Sequence, residues 1–146
     1  MGTAYLTRRV AFAAAHRYYR DDWSAERNRA VFGACANEHG HGHNYAMEAT
    51  VEGMIDPETG FVVDLGSLDD VLRREIVVPL DHHHLNHDVP AFGPGGLIPT
   101  TENILAWAWP RIAERLPPGV RLHRLRLHED HALFADYFGG SAGAPQ

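Results

Sequence analysis

The segment over residues 44–52 constrains this chain most. Tyr45, Met47, Ala49 and Val51 take one parity, and Glu48, Thr50 and Glu52 take the other. Side chains two apart share a face of a strand. The pattern therefore predicts a half-buried strand of an antiparallel sheet. Residues 4–12 alternate as well. Leu6, Val10 and Phe12 share one parity with Arg8, while Tyr5, Thr7, Arg9 and Ala11 take the other, which predicts an earlier strand.

Helical spacing appears after a turn at Asp56-Pro57-Glu58-Thr59-Gly60 and a short strand expected over 61–63. Ser67 with Asp70 three residues later reads as a capping box. Leu68, Val71, Leu72 and Ile76 recur at helical spacing, and Pro79 is expected to end that helix. Thr100 or Thr101 caps a second helix with Ile104, Leu105, Ala108, Ile112 and Leu116 on its inner face. Pro110 lies inside it and is expected to kink or split it. Elsewhere one helical turn is expected near 24–29, and residues 81–99 read as a loop.

Two closing strands follow, over 120–128 and 132–138. In the first of them the apolar parity slips between Leu122 and Leu125, which predicts a bulge. The fold expected is α+β, a four-stranded antiparallel sheet with two helices on one face, in one domain over residues 1–138. A small-residue tail over 139–146 is expected to be flexible.

Composition narrows the function. A single cysteine, Cys35, excludes an intrachain disulfide and fits a reducing compartment. The formal net charge is −6, and all 13 basic residues are arginine without a basic block, so nucleic acid is not an expected partner. No apolar run approaches the roughly 18 residues needed to span a bilayer. Arg8-Arg9 precede an apolar stretch that ends at His16, too short for a secretory signal, and a cytoplasmic protein is expected.

The anomaly is histidine, with 11 residues. His39, His41 and His43 alternate with Gly40 and Gly42, so His41 and His43 can offer two imidazoles to one cation. Nitrogen ligands favour zinc among the common ions, and a catalytic zinc needs a third protein ligand. His39 continues the same parity, and His16 ends the first strand, which could pair beside the second. Spacing leaves both open. Cys35 lies six residues before His41; near a cation its thiolate is favoured, as base or nucleophile. Asp81 beside His82 suits proton transfer, because a carboxylate fixes the imidazole tautomer. Glu129, near a strand end, can accept two N–H bonds from a guanidine-like heterocycle.

These pieces together resemble one family. They are Phe12-Ala13-Ala14-Ala15-His16, Phe32-Gly33-Ala34-Cys35 followed by His41-Gly42-His43-Asn44-Tyr45, Asp64-Leu65, Leu80-Asp81-His82, Pro99-Thr100-Thr101-Glu102-Asn103 and Glu129. From residue 6 to residue 138 the chain resembles the 6-pyruvoyl-tetrahydropterin synthases and their relatives, the 6-carboxytetrahydropterin synthases. The resemblance implies the tunnelling fold, assembled as a multimeric barrel of trimers and then a hexamer, with sites at subunit interfaces. It implies zinc on His16, His41 and His43, which favours His16 over His39. It further implies Cys35 as general base, Asp81 and His82 as the partner acid/base pair, Glu129 as anchor of the pterin ring, and Thr100, Thr101 and Glu102 as pocket lining.

The implied substrate is 7,8-dihydroneopterin triphosphate. The product would be 6-pyruvoyl-tetrahydropterin with triphosphate, or, in the carboxy branch that feeds queuosine, 6-carboxytetrahydropterin with acetaldehyde and triphosphate. Glu38 departs from this pattern. It lies three residues before His41, where some relatives carry a glutamate in place of the cysteine and cleave the side chain toward 6-hydroxymethyl-dihydropterin on the folate route. Here both are present. The six-residue gap from Cys35 to His41 resembles the pyruvoyl-forming type. Without lysine, arginine must serve the triphosphate. A non-catalytic metal- or pterin-binding member is the alternative from another class, although a binder has no need of a base and an acid.

Overall fold

Strands β1 (Thr3–His16) and β2 (His41–Met54) pair antiparallel over their whole length in a computed structural model that describes residues 2–140. Phe12 faces Tyr45 and Val10 faces Met47 across the ladder. Tyr45, Met47, Ala49 and Val51 are buried, as the alternation predicts. Glu48 and Glu52 turn to the opposite face, where they meet Arg9 with His128, and Arg121, respectively. Thr50 on that face is also buried, bonded to Thr7 at 2.7 Å and approached by Arg124. Its polar group is satisfied, so the burial carries little cost.

The sheet continues through β4 (Arg121–His128) and β5 (Phe134–Tyr137). Thr50 pairs with Arg124 but Val51 pairs with Leu122, which leaves His123 as the extra residue of the expected bulge. The sheet has five strands rather than four. β3 (His83–His84) runs parallel to β1 at Ala14 and Ala15, which gives the order β3-β1-β2-β4-β5. The Ala13 amide and carbonyl explain this edge. The amide donates to the Asp81 carboxylate at 2.8 Å, and the carbonyl accepts from the His82 amide at 2.6 Å. The chain is thereby laid along β1 where a loop is expected from sequence.

Among the described residues four helices accompany the sheet. α1 (Ala25–Phe32) is capped by Ser24 and is longer than the single turn expected. α2 starts as Leu65–Leu72, continues through a π-helical stretch Arg73–Val77 and ends as Val78–Leu80. Its cap is Asp64, whose carboxylate accepts from the Ser67 amide at 2.9 Å, so Ser67 lies inside the helix rather than at its start. Pro79 stands one residue before the last helical residue, Leu80, so the helix ends within a residue of the expected position. The proline occupies the first turn after the π-helical stretch, where its missing N–H is tolerated. α3 (Leu85–Asp88) is a single turn. α4 (Thr101–Ala113) is capped by Thr100 and runs unbroken through Pro110, which lies exposed in its last turn and removes one hydrogen bond there. Residues 61–63 form no strand: Val62 and Val63 are bends, with Val63 buried and Phe61 exposed.

α2 and α4 bury Leu68, Leu72, Ile76, Ile104, Leu105, Ala108 and Ile112 against the inner face of the sheet. Arg8 shares that face's parity yet stays exposed, clasping Asp69 of α2 with two bonds of 2.7 and 2.9 Å. Met47 is fully buried at the centre of this layer. Met47→Ala is expected to lower stability by about 2–5 kcal/mol, the usual range for such a truncation. Urea unfolding checks this, and an unchanged midpoint would show that this strand face is not core. Of the expected tail, residues 141–146 lie outside the described residues. Gly139 adopts φ +83° with the Trp109 ring 2.6 Å from where a Cβ would stand, so glycine alone fits there. Among the described residues no helix is long and apolar enough to cross a membrane.

Candidate active site

The last rung of the β1–β2 ladder places His16 opposite His41, and His43 opposite Ala14. Facing residues on one side of such a pair have Cβ atoms about 4.5–5.5 Å apart. His41 and His43 share the face by alternation. The three imidazoles therefore converge at the end of the core face, where the stacked rings of Phe12 and Tyr45 give way to polar groups. One nitrogen from each lies within 4.8 Å of the others. His39 is exposed and outside this group. Gly40 at φ +70° makes the turn that separates His39 from His41, pressed so closely on the His16 carbonyl that a Cβ would clash.

His16 is fully buried. Its Nδ1 lies 3.1 Å from the Pro99 carbonyl and 2.9 Å from the Tyr45 hydroxyl, leaving Nε2 to face His41 Nε2 at 3.3 Å. Burial first, then His43 and His41, push its pKa down to about 4. A neutral imidazole held through its far nitrogen is the form that ligates metal. His43 Nε2 is buried and has no hydrogen-bond partner among the described residues. Glu129 Oε1 stands 3.4 Å from it without hydrogen-bond alignment. Orphaned buried polar atoms are rare, and a cation bound by the three histidines removes this one. The donor set fits a divalent metal with three nitrogen ligands and an open position.

Cys35 comes from the 3-10 turn Gly33–Ala36, with Sγ 4.0 Å from His41 Nε2. Burial and then the Glu129 carboxylate push its thiol pKa up. A cation on the histidines acts in the opposite sense and favours the thiolate. Glu129 follows β4 two residues beyond buried Leu127, and its side chain is only 12% exposed. Its Oε1 also lies 3.7 Å from His16 Nε2 and accepts from the Tyr18 hydroxyl at 3.4 Å. The structure thus gathers His16, His41, His43, Cys35 and Glu129.

Asp81 and His82 stand elsewhere. They bind the edge of β1 that faces away from β2, with His82 Nδ1 2.9 Å from Asp81. Among the described residues neither makes a hydrogen bond to Cys35 or to the three histidines. The Ala13 amide, then His82, hold the Asp81 carboxyl below its usual range. The His82 side chain is 83% exposed at φ +59°, the left-handed region that a residue with a Cβ rarely adopts. Strain of this kind gathers at functional positions.

Of the expected lining residues, Thr100 spends its hydroxyl on the Asn103 amide, Thr101 is buried, and Glu102 is exposed. Glu38 is exposed and lines a separate cleft with Arg17, Tyr19, His84 and Phe92. Two tyrosines of the site escape the sequence reading of roles. Tyr45 fixes His16, and Tyr18 bonds Glu129. The alternation that pairs His41 with His43 also puts Tyr45 on that face, so a signal for one of them was present.

The family model for 6-pyruvoyl tetrahydropterin synthase matches residues 5–140. The 6-pyruvoyl tetrahydrobiopterin synthase of Pongo abelii is 43% identical over 136 residues, covering 93% of this chain and 92% of its own. A dihydroneopterin monophosphate aldolase of Pyrococcus furiosus is 35% identical over 126 residues, covering 86% of this chain and 90% of its own. The structure of Caenorhabditis elegans 6-pyruvoyl tetrahydropterin synthase superimposes with a TM-score of 0.89 at 29% identity, covering 96% of this chain and 98% of the other. By sequence along nearly its whole length and by fold, this chain belongs to the 6-pyruvoyl tetrahydropterin synthase family.

Proposed function

We propose that the protein is a zinc-dependent lyase that converts 7,8-dihydroneopterin triphosphate to 6-pyruvoyl-tetrahydropterin and triphosphate. The observation that carries this reading is the Cys35 thiol, 4.0 Å from a histidine of a three-imidazole cluster that also holds an orphaned nitrogen. The reaction needs no outside reductant. Loss of triphosphate turns one side-chain carbinol into a ketone without net redox change. Oxidation of the carbinol next to the ring is balanced by reduction of the ring C=N bond.

His16, His41 and His43 would hold the zinc, whose charge favours ionised side-chain hydroxyls when it is bound. Cys35 takes the carbon-bound proton as general base. Glu129 accepts the paired N–H groups of the pterin ring. Glu102, exposed and without a hydrogen bond among the described residues, would line the pocket with Thr100 and Thr101. Half-buried Asp81 and exposed His82, turned away from this cluster, act in the site of a neighbouring copy. That role suits the implied hexamer built from two trimers. A lone free thiol at the centre of chemistry suits the reducing cytoplasm.

The six-residue spacing from Cys35 to His41 favours the pyruvoyl product over the carboxy product of the queuosine branch. The aldolase of Pyrococcus furiosus motivates a second reading, side-chain cleavage toward 6-hydroxymethyl-dihydropterin with Glu38 as base. The place of Glu38 in a separate cleft supports Cys35 instead. Incubation of zinc-loaded protein with dihydroneopterin triphosphate, with products separated by chromatography, tests the choice. A 6-pyruvoyl pterin is expected from wild type and equally from Glu38→Ala. A hydroxymethyl product lost in that variant would transfer the role of base to Glu38.

A further inference from the structure

We propose that Tyr18 is a positioning residue for the pterin ring, its hydroxyl bonding one lone pair of Glu129 Oε1 so that both carboxylate oxygens stay turned toward the paired N–H groups of the ligand. This rests on the reading of Glu129 as pterin anchor.

Tyr18 is tied into the site at three points. Its amide donates to the Cys35 carbonyl at 2.8 Å. Its ring centroid lies 4.7 Å from that of His16, and its hydroxyl reaches Glu129 Oε1 at 3.4 Å. Behind it stands a column of rings: Phe32 edge-on at 6.0 Å, then Trp23 stacked on Phe32 at 5.6 Å, then the Arg27 guanidinium 3.8 Å over Trp23. The ring is therefore placed by packing on its own side of the site, independently of Glu129. The hydroxyl is a fixed point toward which the carboxylate is drawn.

The other neighbours of Glu129 Oε1 are His43 Nε2 at 3.4 Å and His16 Nε2 at 3.7 Å. An imidazole nitrogen committed to a cation carries no proton to donate. Tyr18 is then the donor left to this oxygen among these contacts. A carboxylate free to swing would present its oxygens to the ring in many poses, whereas one held oxygen leaves a single pose. The present 3.4 Å exceeds the usual 2.7–2.8 Å for such a bond. Bonds of this kind tighten when the ligand is in place.

Tyr18→Phe keeps the ring and removes the hydroxyl. The probe is neopterin, followed by its own fluorescence, together with zinc content and steady-state turnover. We expect wild-type zinc content, a neopterin Kd weakened by about tenfold, and a KM raised by a similar factor with kcat changed by less than about threefold. A merely structural role would instead lower zinc content or kcat and leave no such split. The double variant with Glu129→Gln is expected to bind no more weakly than Glu129→Gln alone. An unchanged Kd in Tyr18→Phe, or losses that add in the double variant, would overturn the inference and leave the pterin reading standing. Failure of neopterin to bind wild type, or binding undiminished by Glu129→Gln, would remove the anchor itself and the inference with it.

Discussion

His16→Ala is expected to purify with less than about a tenth of the zinc of wild type, while His39→Ala retains it. A three-ligand site stripped of one ligand loses far more than the 10–100-fold in affinity that loss of a supporting hydrogen bond costs. His16 is also the member of the histidine cluster with the most support, fixed from behind by the Pro99 carbonyl and the Tyr45 hydroxyl and sealed in the core. His39 points to solvent on the far side of the turn at Gly40. Metal analysis of the two purified variants checks the assignment. Equal zinc content in both would contradict it.

Cys35→Ala is expected to keep its zinc and lose turnover by about 10²–10⁴-fold, the span that one positioned general base contributes. Metal retention follows from geometry, since the thiol stands 4.0 Å from His41 Nε2 and outside the three-nitrogen group. Zinc content and product formation must therefore separate in this variant. If turnover survives, the base lies elsewhere, and Glu38→Ala becomes the informative second substitution. If zinc is lost, the thiol is a ligand and the division of roles among these side chains fails.

Most of the sheet was legible in the sequence, because alternation is a direct consequence of strand geometry. Parity across residues 44–52 gave the buried face, and the slip between Leu122 and Leu125 marked the bulge at His123. What resisted were features decided by competition between local and tertiary forces. Ser67 looks like a cap, but Asp64 three residues earlier offers its carboxylate to the Ser67 amide. β3 consists of two residues with no pattern to detect, and it exists because Asp81 and His82 grip Ala13.

The site divides along the same line. His41 and His43 follow from alternation, whereas His16 joins them only through the β1–β2 register, which spacing alone left open against His39. Cys35 and Glu129 arrive from separate segments that the three-dimensional fold brings to the histidines. Asp81 and His82 carry the residue types of acid/base chemistry, yet no sequence signal could place them on the opposite edge of β1. Tyr18 carries no sequence signal, because what sets it apart is what it touches: one backbone bond to Cys35, one ring against His16, one hydroxyl on Glu129.

The most direct measurement is triphosphate release from 7,8-dihydroneopterin triphosphate by zinc-loaded protein, with the pterin product quantified in the same sample. One triphosphate per 6-pyruvoyl-tetrahydropterin is the predicted result, abolished by chelation and restored by zinc. Zinc-loaded, folded protein that releases no triphosphate would contradict the account.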